Sequence, residues 1–452
     1  MTARTAVYDA ARHRFSRGQK MAGTALALSV GAWALSDPVL AAQAFTALFL
    51  ATSLLFLALR STACLVSMLS GPEASLPQIA RQELPTISLL CPLYREAEGV
   101  NNLIRAIRAL DYPKARLEVI ILLEDDDTET APAIREQLPA LRLVLADGEG
   151  PRTKPRALNA GLRRASGELI GVYDAEDRPE PDQLRTVAAA FAANPRAACV
   201  QAHLNYYNRD DTLLTRMFCL EYSLHFDYMM PGLVRMGLPI PLGGTSNFIR
   251  REALLDIGGW DAFNVTEDAD LGLRLAEAGY RIITIPSSTF EEATDSPRAW
   301  VKQRSRWLKG YLQTWLVHIR KPLALPNAVV LHAAIGAVVF NALCAPVFFA
   351  AFLFWLVTRS AALEPVFGGW LMLPCLALFV GGNFLHAWLL MMAPLRRGFS
   401  GATLAGPLLP VYWVLQSAAA YRALYSFVRT PHYWSKTDHS AGTDPARETV
   451  HA

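Results

Sequence analysis

Charge is scarce in this chain. Only 18% of its 452 residues are Asp, Glu, Lys or Arg, against 52% hydrophobic, and the net charge is +3. Such a balance supplies no basic field, so no nucleic-acid polymer is expected as a partner. Cysteine is scarce as well. The six (Cys64, Cys91, Cys199, Cys219, Cys344, Cys375) are scattered with no Cys-x-x-Cys pair. That argues against a disulfide framework and a zinc site, and it suits a reducing compartment. The nine histidines show no metal-ligand spacing; His225 and His386 read as packing or surface residues. No internal repeat or low-complexity segment stands out. A P-loop is excluded too: Gly148–Lys154 contains Pro151, which has no N–H to offer a phosphate, and its spacing is wrong.

What remains is greasy at both ends, and mean hydropathy is positive. Arg4, Arg12, Arg14, Arg17 and Lys20 precede two apolar runs, Met21–Leu35 and Val39–Leu59, broken by Ser36-Asp37-Pro38. A crossing helix needs about 20 apolar residues. The second run suffices; the first is short unless Arg17 and Lys20 snorkel. A cleaved signal peptide competes, but the second run follows too closely for that. A helical hairpin with a cytosolic N-terminus is expected, returning at Arg60. Further runs lie at Val329–Val357, Phe367–Ala393 and Ala402–Val428, with Arg396-Arg397 as a cytosolic loop. Five crossings would put the tail outside, whereas Arg422, Arg429, His432 and Lys436 put it inside. Pro407 and Pro410 interrupt the last run, so an interfacial or re-entrant segment stands beside a crossing.

Residues 80–320 read as a soluble domain. Thr86–Cys91, Glu118–Leu123, Leu141–Ala146 and Glu168–Tyr173 have strand character, and Val100–Leu110 and Thr130–Gln137 have helical period. The alternation predicts an α/β fold: a parallel sheet covered on both faces, with ligands at the carboxyl ends of its strands.

Acidic clusters fall at those ends. Glu124-Asp125-Asp126-Asp127 follows one strand and Asp174-Ala175-Glu176-Asp177 another. Oxygen ligands this dense suit Mg²⁺ or Mn²⁺ once a phosphate completes the shell; solvated acidic loops are the other reading. Lys154, Arg156 and Asn159 form either a phosphate-meeting cationic patch or a basic surface loop. Gly243–Asn247 reads as a flexible polar loop leading into a helix, allowing close backbone approach to a ligand, or as a plain turn. Thr266 is a candidate N-cap for a helix over Ala269–Ala278. Glu267 and Asp268 beside it offer a general base or simple dipole compensation. Gln303, Arg306 and Trp307 share one helical face, as a sugar-stacking surface or an interfacial anchor.

In this order the motifs resemble the family 2 inverting glycosyltransferases, and among them the membrane-embedded cellulose, chitin and hyaluronan synthase group. The likeness covers roughly residues 85–315. It rests on Pro92-Leu93-Tyr94-Arg95-Glu96, Leu123–Glu129, Asp174-Ala175-Glu176, and Thr266-Glu267-Asp268 followed by Gln303-x-x-Arg306-Trp307. Two positions depart from the pattern: Asp-x-Asp has become Asp-x-Glu, and the first Asp of an Asp-Asp pair has become Glu124. The tail from Pro431 to Thr437 is similar to tails of bacterial members.

The resemblance implies a GT-A type (Rossmann-like) cytosolic domain with transmembrane α-helices. The division is a basic N-terminus and hairpin (1–79), the transferase domain (80–299), interfacial helices (300–325), a C-terminal bundle (326–428) and a tail (429–452). Pro92, Tyr94, Glu96, Glu124, Asp125, Lys154 and Asp174 would bind a UDP- or GDP-sugar. Asp174 and Glu176 would hold Mg²⁺ or Mn²⁺, and Asp268 would be the base. Thr245, Ser246, Glu267, Gln303, Arg306 and Trp307 would meet the acceptor. The expected activity is a processive β-linked exopolysaccharide synthase of the bacterial inner membrane, co-assembling with export proteins and in contact with membrane lipid. Transfer of one sugar to a lipid carrier is the alternative, and a non-catalytic scaffold the lesser one.

Overall fold

The computed structural model describes residues 11–70, 76–96, 99–127, 129–137, 142–146 and 150–434. Expectations for Arg4, Gly148 and Ser435–Thr437 fall outside these residues.

Two helices, α1 (Arg17–Ser36) and α2 (Pro38–Leu69), precede an eight-stranded sheet. Its strands are β1 (Ile87–Leu93), β2 (Leu117–Leu123), β3 (Arg142–Leu145), β4 (Leu169–Val172), β5 (Arg178–Pro179), β6 (Ala197–Tyr206), β7 (Asn247–Arg250) and β8 (Arg281–Glu291). The order is β3-β2-β1-β4-β7-β6-β8-β5. β3, β2, β1 and β4 are parallel, as the alternation of elements requires. β7 then runs antiparallel to both β4 and β6, so the sheet is mixed rather than wholly parallel.

Both faces of the sheet are covered, so consecutive side chains of its strands are buried on alternate sides. Leu89 and Cys91 of β1, with Ile121 and Leu123 of β2, pack under α3 (Val100–Ala109) and α6 (Gln183–Ala193). Leu90, Ile120 and Leu122 point the other way, onto α5 (Lys154–Leu162). α4 (Thr130–Gln137) follows the acidic turn Glu124–Asp127. Fully burying each such side chain is worth about 1.5–3 kcal/mol.

The second face continues into α7 (Leu213–Leu224) and α8 (Met230–Arg235), joined by a π turn at His225–Met229. Gly232 of α8 lies so close to α2 that a Cβ would come 1.9 Å from the Ala63 carbonyl oxygen. α9 (Arg251–Asp256), α10 (Glu267–Glu277) and α11 (Pro297–His318) complete this region. The chain ends in α12 (Leu325–Val330), α13 (Ala337–Thr358), α14 (Glu364–Phe367), α15 (Met372–Ala377), α16 (Asn383–Met392) and α17 (Leu409–Arg429).

Among the described residues three helical runs are long and apolar enough to cross a membrane: Pro38–Leu69, Leu325–Thr358 and Gly369–Arg397. α1 and α17 are not among them. α1 opens on Arg17 and Lys20 and buries no residue. α17 carries Tyr, Gln and Arg side chains along its length.

The Arg396-Arg397 loop is tied to the sheet domain. Arg397 grips both oxygens of buried Asp227, at 2.6 and 2.5 Å, and donates to Ser288 Oγ at 2.8 Å. His203 Nδ1 also lies 3.1 Å from Asp227. Removing one partner of such a pair strands a buried charge. Arg397→Ala should therefore cost about 3–5 kcal/mol of unfolding stability in detergent. Asp227→Leu/Arg397→Leu should recover part of that loss. A single-variant loss under about 1 kcal/mol would show that the grip contributes little.

Candidate active site

The register of the sheet brings the motifs to one edge. Leu93 pairs with Leu123, so Tyr94 and Glu124 leave their strands side by side. Leu90 pairs with Val172, so Asp174 follows at the level of Pro92. Here a cavity of about 1650 Å³ opens. Pro92, Tyr94, Glu96, Glu124 and Lys154 line one part of it. Asp174, Glu176 and Thr245 line the middle. Glu267, Asp268, Gln303, Arg306 and Trp307 line the side toward the helices.

Two expected residues stand apart. Asp125 is largely exposed and pairs with Arg152 at 3.1 Å, off the cavity wall. Ser246 is fully buried and hydrogen-bonds Thr289 Oγ1 at 2.6 Å, inside the sheet. Nor does the Gly243–Asn247 loop lead into a helix; it leads into β7, whose pairing with β4 and β6 claims Asn247 onward.

At the β1–β2 end the backbone is held tightly. Asp127 accepts from Arg95 N at 2.6 Å and Thr130 N at 3.0 Å, and Glu96 N donates to Thr130 Oγ1 at 3.1 Å. Burial would raise the Asp127 carboxyl, but these backbone donors outweigh it and hold it low. Tyr94 donates to Asp126 at 3.3 Å. Arginines answer the acidic cluster: Arg152 reaches Asp126 at 2.8 Å, and Arg156 contacts Glu124.

In the centre, carboxylates outnumber cations. Lys154 Nζ, at the start of α5, lies 2.5 Å from Asp174 Oδ1 and 2.8 Å from the Gly244 carbonyl oxygen. Burial, then the charge of Glu176, pushes Asp174 up, although Lys154 pulls it down. Asp177 is pushed further up by burial and by Asp174. It accepts from Asp174 N at 2.7 Å and touches Thr245, while its Oδ1 has no partner. Glu291, the last residue of β8, is raised by burial and by Asp177, Glu176 and Asp174. Among the described residues no three such side chains form a metal cage by themselves. Mg²⁺ characteristically takes one or two carboxylates and completes its shell with substrate phosphate and water. Asp174 and Glu176 fit that donor set: hard oxygens on one cavity wall.

Asp268 sits at the second position of α10, and its Oδ1 accepts from Ala269 N at 2.7 Å. Thr266 occupies the N-cap position, but its side chain makes no capping hydrogen bond, and its buried hydroxyl is unpartnered. A Cβ on Gly244 would come 3.2 Å from Asp268 Oδ2 and 3.9 Å from Lys154 Nζ. The loop backbone therefore lies against both groups, and only glycine leaves that wall open. Burial raises Asp268. Burial and the Asp268 charge push Glu267 up to about 7. Both carboxyls thus face the cavity with proton affinities above the ordinary range, which suits a base working near neutral pH. A pH prediction follows. The acid limb of kcat/KM should lie well above the usual carboxylate range. Burial is what raises Asp268, so Glu267→Gln should leave the limb in place. A limb that falls to the ordinary carboxylate range in this variant would show that the titrating group is Glu267.

On α11, Gln303 Oε1 and Arg306 Nε have no hydrogen-bond partner although buried. Trp307 packs edge-on to Phe218 at 6.1 Å, with the Arg304 guanidinium 4.6 Å from its ring. The segment after α17 closes this side. Lys309 Nζ holds the carbonyls of Tyr433 at 2.8 Å and Thr430 at 3.2 Å, and the Trp434 ring lies 5.3 Å from Arg306.

The sequence motifs did not single out Glu291, Glu221 or Arg60, which also line the cavity. Glu291 arrives through the β6–β8 pairing. Glu221 and Arg60 arrive through helix packing, and no local pattern marks them.

A family model described as "Glycosyl transferase family group 2" matches residues 169–421. "Probable glycosyltransferase YdaM" of Bacillus subtilis is 30% identical over 238 residues, 51% of this chain and 56% of that protein. "Beta-monoglucosyldiacylglycerol synthase" of Synechocystis sp. is 30% identical over 258 residues, 56% of this chain and 52% of that protein. The chain spans about half the length of the curated relatives it matches. Among solved structures, the mannosyltransferase PcManGT from Pyrobaculum calidifontis, in complex with GDP-Man and Mn²⁺, superposes with a TM-score of 0.59 at 23% identity. That match covers 86% of this chain and 98% of that one, and it shows a shared GT-A fold.

Proposed function

Because the chain belongs to glycosyl transferase family group 2, we propose that it moves a sugar from a nucleotide-sugar onto a membrane lipid, with inversion at the anomeric carbon. One observation carries the lipid half. The cavity that holds Asp174 and Asp268 runs on without a break between α2, α13 and α15–α16, where Phe49, Phe348, Phe352 and Phe379 line it. A polymer channel must meet sugar hydroxyls with hydrogen bonds along its length. Here the wall between those helices is mostly apolar, although Ser53, Asn341, Glu364, Asn383 and Gln416 also line it. The relative named for diacylglycerol agrees with this reading. Processive polymer synthesis, favoured by the Gln-x-x-Arg-Trp pattern, becomes the second reading.

The donor diphosphate would sit over Asp174, Glu176 and Lys154, with Arg306 facing it from α11. A Mg²⁺ or Mn²⁺ ion held by Asp174 and Glu176 would offset the charge of the leaving diphosphate when bound. Asp268 would take the proton from the acceptor hydroxyl, and Trp307 and Gln303 would orient the sugar. The three candidate spans fit a membrane-held enzyme, with the sheet domain in the cytosol, where nucleotide-sugars are.

The test is nucleotide release from a panel of UDP- and GDP-sugars by purified protein. Release should depend on added membrane lipid extract. Equal release in lipid-free detergent supplied only with oligosaccharide would contradict the lipid reading.

A further inference from the structure

Resting on that lipid reading, the geometry points to Arg60 as the residue that selects an acceptor lipid carrying a phosphate, by binding its headgroup oxygens at the mouth of the apolar groove. Arg60 lines the cavity yet is only 8% exposed. Its contacts leave its charge unanswered. One Nη lies 3.3 Å from His386 Nε2, and the guanidinium lies 5.2 Å from the Phe56 ring. Nε has no partner, and among the described residues no carboxylate pairs with it. The nearby carboxylate, Glu221, is already taken by Arg304 and by the Tyr412 hydroxyl. His225 adds no compensation: burial and the neighbouring Arg60 and Arg304 push it down to about 3, so it is neutral. Around Arg60 two guanidiniums, its own and that of Arg304, thus stand against the one carboxylate of Glu221. A buried cation left one charge short is costly unless something anionic completes it.

The position fits a headgroup. Arg60 follows directly on the apolar run Val39–Leu59 and is the only charged residue of the candidate span Pro38–Leu69, so a headgroup that reaches into this span meets its cation here. From Arg60 toward Thr46 the cavity-facing side chains recur at three- and four-residue spacing: Phe56, Ser53, Leu50 and Phe49. That face is about 21 Å long at 1.5 Å per residue, room for hydrocarbon chains. Its far end is open sideways, because Met372 and Leu376 line the cavity and are also 55% and 56% exposed. In the other direction Tyr311 links Arg60 to the chemistry. Burial raises its phenol to about 12; the Asp268 charge adds to this, while Arg304 and Arg60 oppose it. A lipid phosphate on Arg60 would lie in the same cavity as the base, with its chains in the groove.

The experiment titrates full-length protein in mild detergent with dioctanoyl phosphatidic acid, the matching diacylglycerol and inorganic phosphate, with nucleotide binding in the same samples as the check on folding. Wild type should bind the phosphatidate at least tenfold more tightly than the diacylglycerol. Arg60→Gln should erase that preference with nucleotide binding intact, and Arg60→Lys should keep part of it. Inorganic phosphate should not compete at matching concentrations. Equal affinities in wild type, a preference surviving in Arg60→Gln, or full competition by inorganic phosphate would each overturn the assignment. Because the readout is binding, it stands apart from glycosylation. Lipid glycosylated with no Arg60-dependent preference sinks this inference alone, whereas a confirmed preference without any glycolipid sinks the acceptor reading.

Discussion

Asp268→Asn should lower turnover by about a hundredfold or more while donor affinity stays nearly unchanged. Asn keeps the size and the hydrogen bond acceptor for Ala269 N, so α10 loses little. What it loses is the ability to hold a proton as the acceptor oxygen attacks. A base acts in the transition state, so kcat falls and donor binding does not. Gly244 lies against the Asp268 carboxylate, and Lys154 acts on it through its charge. Near-normal turnover would move the role to Glu267, which faces the same cavity.

Chelation with EDTA should abolish transfer, with Mg²⁺ or Mn²⁺ restoring it, and Asp174→Asn should lose turnover that excess metal cannot restore. The central carboxylates explain the size of the effect. Asp174, Glu176, Asp177 and Glu291 repel one another around Lys154, and a dianionic diphosphate brought among them needs a further cation. Asn at position 174 also frees Lys154, so the variant should still fold and bind nucleotide more weakly. Full activity in EDTA would remove Asp174 and Glu176 from any metal role.

Much of this site could be read from the chain because it lies where the local signals are strong. The β1, β2 and β4 runs are short, apolar and lead into acidic turns, so the apolar runs and the charge marked the same sheet edge. β7 was not legible. Asn247–Arg250 is too short for a period, and its antiparallel place between β4 and β6 depends on long-range pairing. That pairing also turned Ser246 into the sheet. The groove was hidden for a different reason. α13 is apolar all round, so its sequence does not tell a lipid-facing side from a cavity-facing one. Arg60 looked like the end of a membrane run, and only the packing of α2 against α8 and α16 shows it enclosed. Glu291 had no signal at all; nearly 120 residues separate it from Asp174, and β8 carries it there.

On the proposed function, one sugar goes to a lipid. The most direct test reconstitutes the protein in vesicles containing bacterial lipid extract, supplies the nucleotide-sugar that supports release, and weighs the products. An organic-phase lipid heavier by a single sugar, absent in Asp268→Asn, is the expected product. A water-soluble ladder of products growing by successive sugars, with no glycolipid, would contradict it.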